Sequence, residues 1–271
     1  MSHGLFVRIP SGRRSRTVID LAAYMMIMVG SALVVAHGAG QSGYGWQWYR
    51  AWRYLIVIPA DGSFEPGLLL RGLGVTLQIS ALSLVLALLL AVVTVLLRGS
   101  GSRVGWLVSR FYVESIRNTP LLIQLFVTYF VVAPVLGIDR FAAAVVALAV
   151  FEGAYMAEIL RAGIDSVPQG QWEASRSLGM DEPGTALMVI MPQALRRALP
   201  PLTGQAVSLV KDSSLVSAIA IHELTMEAQI IISETFLTFE IWMLTAAIYL
   251  TVSLLLSGAA RYLERHLWFE L

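Results

Sequence analysis

Apolar and polar positions along this chain fall into long uninterrupted runs rather than short alternations. The first apolar run covers Val18 to Ala36 and is interrupted only by Asp20. A second, free of charge, lies between Arg71 and Arg98 and contains the stretch Leu82–Leu90. Asn118 to Ile138 is a third, with Pro120 at its start and Pro134 near its end. A fourth begins at Phe141 and reaches about Leu160, carrying Glu152 and Glu158 inside it. The fifth, Ala198 to Ile221, contains Pro200, Pro201, Lys211 and Asp212, and the sixth, Ile241 to Ala260, is cleanly apolar. Crossing ~30 Å of hydrocarbon takes about 20 helical residues, whereas a membrane barrel needs alternating segments of ~10. The pattern predicts an all-α membrane protein with six transmembrane helices.

Composition supports this class and removes others. The 271 residues are 57% hydrophobic and 14% charged, against about 25% charged in a soluble domain. Disorder needs few apolar residues and high net charge; the net charge here is +1. That balance also gives no basic footprint for nucleic acid. The chain has no cysteine, which excludes disulfides, thiol nucleophiles and thiolate metal sites. His3, His37, His222 and His266 are scattered and form no metal-ligand spacing.

Arginine positions orient the spans. One side receives Arg8, Arg13, Arg14 and Arg16, then Arg98, Arg103, Arg110 and Arg117, then Arg161, Arg176, Arg196 and Arg197, and finally Arg261 and Arg265. The other receives only Arg50, Arg53, Arg71 and Arg140. The positive-inside rule therefore predicts that both termini are cytoplasmic. Tyr44, Trp46, Trp48, Tyr49, Trp52 and Tyr54 form an expected aromatic belt at the outer interface. Arg13-Arg14 before the first run suits a signal peptide, but the run exceeds a signal's apolar region of about 7–15 residues. A retained anchor is expected. The organisation is residues 1–66 as tail, extra anchor and outer loop, and residues 67–271 as a membrane core with a cytoplasmic loop at about 162–197.

That loop carries the densest structural signals. Ser166 and Gln169 stand at capping-box spacing with Pro168 between them, predicting a helix start. Trp172, Ala174, Ser175 and Leu178 then fall on one stripe, and Gly179 is placed to stop the helix with φ > 0. Asp181 is set to cap a second short helix, with Pro183 in its first turn and Pro192 ending or kinking it. A helical hairpin of this kind, projecting from a bundle, suits docking into a groove on another protein.

Glu173-Ala174-Ser175, Gly179, Val189, Met191 and Pro192 resemble the "EAA" loop of binding-protein-dependent ABC import permeases. That pattern is E-A-A, three residues, G, nine residues, I, one residue, L-P. Arg117 to Leu125 resembles the R-G-T-P-L-L-V-Q-L run of the polar amino-acid branch. Ala154 to Ile164 is similar to its A-Y-x-A-E-I-x-R-x-G-I signature, and Pro192-Gln193-Ala194 and Lys211 to Val216 to its P-Q-A and K-D/N-T/S-S-L runs. The likeness covers roughly Leu68 to Leu263; Gly204, where many members have asparagine, and the extra first span depart from it. The resemblance implies the type I ABC importer permease fold, with two permease subunits pairing as homo- or heterodimer. It further implies two ATPase subunits docking on the loop, a periplasmic binding protein delivering a polar amino acid, and a bacterial inner-membrane location. Gln171, Glu173, Ala174, Ser175, Leu178, Gly179 and Pro192 are then the ATPase-coupling residues. No catalysis on the substrate is expected. A P-loop needs G-K-[ST] and the sole lysine, Lys211, follows Val210, so ATP and Mg belong to a partner chain and this one carries no cofactor.

Charges within spans are costly and usually face a pathway or partner. Glu158 has Arg161 at i+3, the spacing of a helical ion pair. Glu152 lies deeper and has two readings, contact with a substrate ammonium or pairing with Lys211. Lys211 and Asp212 either line a cavity at a broken helix or pair with each other. Thr119, Gln124, Ser213 and Ser214 complete the candidate substrate path. Arg117 reads as an interface anchor or structural pair, or as a ligand. An ion-gradient-driven secondary transporter using Glu152, Lys211 and Asp212 is the alternative; it requires inverted repeats, which the sequence does not display.

Overall fold

The computed structural model describes residues 12–41, 43–59 and 62–269. Arg8, the side chains of Arg13, Arg14, Arg16 and Arg265 that orient the spans, and that of Asp20 lie outside those described. The chain divides into two units at Gln47.

The first unit is a single helix, α1 (Gly12–Gln41), followed by a short segment in which Tyr44 and Trp46 meet edge to face. Its apolar described stretch is Ala22–Ser31.

The second unit opens with a short helix, α2 (Trp48–Ala51), a tight turn over Trp52–Tyr54, and a two-stranded antiparallel ribbon of β1 (Ile56–Val57) and β2 (Glu65–Pro66). Ala51 and Tyr54 pack into a core, so part of the expected outer aromatic belt is structural. Gly67 makes that packing possible: a Cβ there would meet the Tyr54 carbonyl oxygen at 2.4 Å.

From Gly67 the chain enters α3 (Leu68–Gly99). A tight turn leads into α4 (Arg103–Arg117), whose first turn is capped by Ser102 Oγ accepting from the Gly105 N–H. α5 (Leu121–Val127) widens through a π-helical turn over Thr128–Val132 into α6 (Ala133–Leu136). Gly137, at φ +66°, ends that run, and Asp139 caps α7 (Arg140–Asp165) through the Ala142 N–H. After α7 come α8 (Gln169–Ser177), α9 (Glu182–Gly184), a π-helical turn over Thr185–Ile190, and α10 (Met191–Asp212). A tighter helical segment, Ser213–Ile219, leads to α11 (Leu224–Thr235) and α12 (Thr238–Phe269).

Helices α3, α7 and α12 are each long and apolar enough to span a membrane. Two bent pairs pass the same test: α4 with α5–α6, bent by 109°, and residues Glu182–Ile219 with α11, bent by 49°. By length and composition these give three spans, or up to five when each bent pair is one. The third predicted span corresponds to α5–α6, which a 109° bend at Asn118-Thr119-Pro120 sets off from α4. The fifth starts earlier than its apolar pattern suggests, because Pro200 and Pro201 lie inside a continuous α10 instead of breaking it. The break falls between Ile219 and Leu224, at residues 220–223, where Ala220 adopts φ +56°. Helix α11 had no counterpart in the apolar runs.

Packing is by small residues. Besides Leu69 and Ile79, the buried face of α3 reads Gly72, Thr76, Ser80, Ser83, Ala87, Ala91 and Thr94, small residues spaced three and four apart. Ala143, Ala144, Ala147, Gly153, Ala154 and Ala157 of α7 are buried as well. Lipid offers no hydrophobic drive between helices, so close backbone approach through small residues holds such pairs together. Ser83 Oγ donates to the Val145 carbonyl at 3.2 Å, and Tyr112 Oη of α4 to Val150 of α7 at 2.7 Å.

Candidate functional site

The loop between α7 and α10 is built on a small apolar base. Val167, Ile190 and Ala194 are buried there, with Ile164, Trp172 and Val189 packed against them. The expected capping box does not form. Pro168 occupies the α8 N-cap without a side-chain bond, while Ser166 Oγ turns back to the Gly163 carbonyl at 2.6 Å and finishes α7 instead. Pro168 has already fixed φ for helix entry, leaving Ser166 free for this role. The backbone there is also held by Arg197 Nη1, which donates to the Ser166 carbonyl.

Only half of the predicted α8 stripe faces inward. Trp172 packs on the base and Ser175 is buried, its Oγ donating to the Gln171 carbonyl at 2.8 Å. Ala174 and Leu178 point out, as do Gln171 and Glu173. Gly179 at φ +81° ends the helix, with the Met180 N–H donating to the Ser175 carbonyl at 3.1 Å. Asp181 caps α9 through the Gly184 N–H at 2.9 Å, and Arg176 pairs with Glu182 at 2.6 Å across the turn. Pro192 neither ends nor breaks the second helix; the helix passes through the wide Thr185–Ile190 turn and continues. Gln193 ties the hairpin together, its Nε2 donating to Val189 O at 2.8 Å and Gln171 Oε1 at 3.2 Å. The outward surface carries Leu178, Leu187 and Met188, 83%, 67% and 75% exposed.

Deeper in the bundle, Glu152 is fully buried. Its Oε2 accepts from Gln205 Nε2 at 2.6 Å, and Oε1 is buried without a hydrogen-bond partner. Asp212 is its other polar neighbour. Lys211 is exposed and its charge acts on Asp212, while the hydrogen bond to Glu152 comes from Gln205. Nothing in the sequence pairs Gln205 with Glu152, because a neutral amide in a span carries no charge signal.

Other candidate residues shape the helix breaks. Thr119 Oγ1 donates to the Ser115 carbonyl at 2.8 Å. Gln124 Nε2 donates to the carbonyls of Ile116 at 2.8 Å and Thr119 at 2.9 Å, so this pair closes the bend between α4 and α5. Ser213 is buried, with Oγ on the Val210 carbonyl, and the Ser214 carbonyl accepts from Ser217 Oγ. Arg140 Nη1 donates to the Ala220 carbonyl at 2.8 Å, fixing the left-handed residue at the second break.

Glu158 makes the expected pair with Arg161, at 2.8 Å, and also receives Arg98 at 3.0 Å and Arg117 at 3.6 Å. Arg117 therefore behaves as a structural pair here, stacked over the Tyr155 ring at 5.2 Å. At the opposite end of α3, Glu223 is buried and caps α11 through the Met226 N–H at 2.9 Å. Its other oxygen accepts from Tyr249 Oη at 2.9 Å and Thr76 Oγ1 at 3.3 Å, joining α3, α11 and α12. Glu223 precedes α11, a position that marks a helix start only once that helix is recognised.

Residues 83–269 match the family described as binding-protein-dependent transport system inner membrane component. The chain is 40% identical over 208 residues to the L-cystine transport system permease protein TcyB of Bacillus subtilis, covering 76% of this chain and 88% of that one. It is 39% identical over 203 residues to the glutamine transport system permease protein GlnP of Escherichia coli, covering 74% and 93%. A solved amino acid ABC transporter crystallised with histidines superposes with TM-score 0.70 at 39% identity, over 73% of this chain and 94% of that one.

Proposed function

This chain belongs to the inner-membrane component family of binding-protein-dependent transport systems, and on that premise we propose how it moves its substrate. It is the membrane permease of an ABC amino-acid importer. Two such permeases pair, and an ATPase subunit docks on the hairpin of each. A periplasmic binding protein delivers a polar amino acid to the outer face, and both termini are cytoplasmic.

The observation that carries the docking reading is the exposed apolar surface of Leu178, Leu187 and Met188, set beside a fixed glycine turn. An apolar surface on a polar loop costs solubility unless a partner covers it. Gln171, Glu173 and Ala174 border it and set orientation. The hairpin rests directly on α10 through Ile190, Ala194 and Gln193, so displacement of the docked surface moves a spanning helix. That helix carries Gln205 and Asp212, and with them the environment of Glu152. ATP-driven closure outside the membrane is thereby passed to a buried carboxyl inside it, where Glu152 receives the substrate's ammonium group. An ion-gradient mechanism loses its support, since the relatives are named as components of ABC transport systems.

The test is uptake into proteoliposomes holding the permease with its ATPase and binding protein. Uptake that requires ATP is expected. Uptake driven by a proton or sodium gradient without ATP overturns the reading. Leu178→Asp combined with Met188→Asp is expected to release the ATPase during co-purification while leaving the permease inserted.

A further inference from the structure

Glu158 anchors the floor of a cavity of about 320 Å³ whose other walls are Arg98, Arg110, Val113, Glu114, Arg117, Asn118 and Tyr155. Its carboxylate is already engaged by Arg98, Arg117 and Arg161. Glu114 is held by Arg110 at 2.8 Å. Positive charge remains after these pairings, because Arg103 stands just outside the cavity and no ion pair among the described residues neutralises it.

Three of these arginines share one face of α4. Arg103, Arg110 and Arg117 recur every seven residues, which places them in a line along a helix. Arg103 is the first residue of α4, where the helix dipole is positive and a cation is unfavourable. Helix stability therefore does not explain it. A second hollow, sharing Arg98 with the first, is lined by Gly101, Ser102, Arg103, Trp106 and Leu107. Beside this line of arginines, α4 leaves Val104, Leu107, Val108 and Phe111 exposed by 71%, 60%, 52% and 72%. Trp106, a residue favoured at the membrane interface, stacks with Arg110 at 5.1 Å.

A free inorganic anion needs the arginines and has no use for the apolar flank. An anionic phospholipid uses both. Its phosphate takes the guanidiniums, which match phosphate geometry through paired N–H donors, and its acyl chain covers the apolar side of α4. We propose that this end of the bundle holds an anionic phospholipid, with its headgroup between Arg98, Arg103 and Arg110 and its chain along Val104, Leu107, Val108 and Phe111. The cavity lies at the same end of α7 as the coupling hairpin, so the lipid comes from the cytoplasmic leaflet if the orientation proposed above holds. Basic pockets between membrane helices on that side are suited to such headgroups.

Native mass spectrometry of the purified permease complex, with phosphatidylglycerol or phosphatidylcholine added, tests this without any transport measurement. Wild type is expected to retain phosphatidylglycerol preferentially. Arg103→Gln combined with Arg110→Gln is expected to lower that retention about fivefold for each arginine removed, with Arg71→Gln, at the opposite end of α3, unchanged. Equal retention of the two lipids overturns the proposal, as does a loss in Arg71→Gln equal to that in the double variant. Displacement of the lipid by millimolar inorganic phosphate alone assigns the site to a free anion and overturns the lipid assignment. A failed transport reading leaves these outcomes intact, because lipid retention does not depend on ATP or substrate.

Discussion

Gly179 holds φ +81°, a region that costs an L side chain about 1–2 kcal/mol. A Cβ at this position meets no atom within 4 Å, so the penalty of substitution is conformational and local. Gly179→Val is therefore expected to insert and assemble normally while presenting Leu178 at a changed angle. ATP hydrolysis then continues with uptake reduced about tenfold or more, the factor that corresponds to roughly 1.4 kcal/mol of lost coupling. Normal coupled uptake by this variant removes the docking role of the turn. Glu152 makes a different case. Its Oε2 accepts from Gln205 and its neighbour is a second acid, Asp212, an arrangement that is expensive for buried carboxyls without a cationic partner. Glu152→Gln keeps the shape and removes the acid. The expected result is an altered ranking among amino acids competing for uptake; an unchanged ranking assigns Glu152 to packing.

At the scale of elements, the fit of α4, α3 and α7 depends on what is missing from the side chains. A Cβ on Gly153 would meet Tyr112 Oη at 2.9 Å and the Leu90 side chain at 3.1 Å. Gly153→Val is expected to push α4 outward, break the Tyr112–Val150 hydrogen bond and lower stability by about 1–3 kcal/mol, as overpacking does elsewhere. Gly74 lies on α3 with open space around it, so Gly74→Ala is expected to cause no loss. Thermal unfolding of the two variants in detergent separates these outcomes. The same small-residue packing explains why α3 looked apolar on every side. Its inward face is distinguished by size, Gly72 to Thr94, while Leu82, Val85, Leu89 and Val93 remain exposed.

For the whole molecule, the family match begins at residue 83 and the compact second unit begins at Trp48. The helix α1 belongs to the other unit. Removing residues 1–47 is expected to leave insertion, pairing and ATP-dependent uptake within about twofold of the full chain, since surface changes away from a core cost little. Loss of uptake in the truncated chain, measured in the same proteoliposomes, assigns α1 a part in assembly.

Much of this was legible in the residues. Apolar length and scarce charge determined the membrane class, because hydrocarbon excludes any backbone that is not internally bonded. The spacing from Glu173 through Gly179 to Pro192 identified the loop, and Gly179 and Asp181 ended and began its helices as local backbone chemistry requires. What local patterns could not supply was pairing across the bundle. Glu152 chose Gln205 over Lys211, Ser166 turned to Gly163 instead of capping α8, and Pro200 and Pro201 stayed helical while the break fell between Ile219 and Leu224. Thr119 and Gln124 proved to close a bend, and Glu223 proved to join three helices. The pairings between helices, Glu152 with Gln205 and Glu223 with Thr76, depend on which faces meet in three dimensions, while Ser166, Thr119 and Gln124 choose among nearby backbone carbonyls. A buried polar group takes whichever donor the packing brings within about 3 Å, and one-dimensional spacing does not fix that distance between residues fifty or more positions apart.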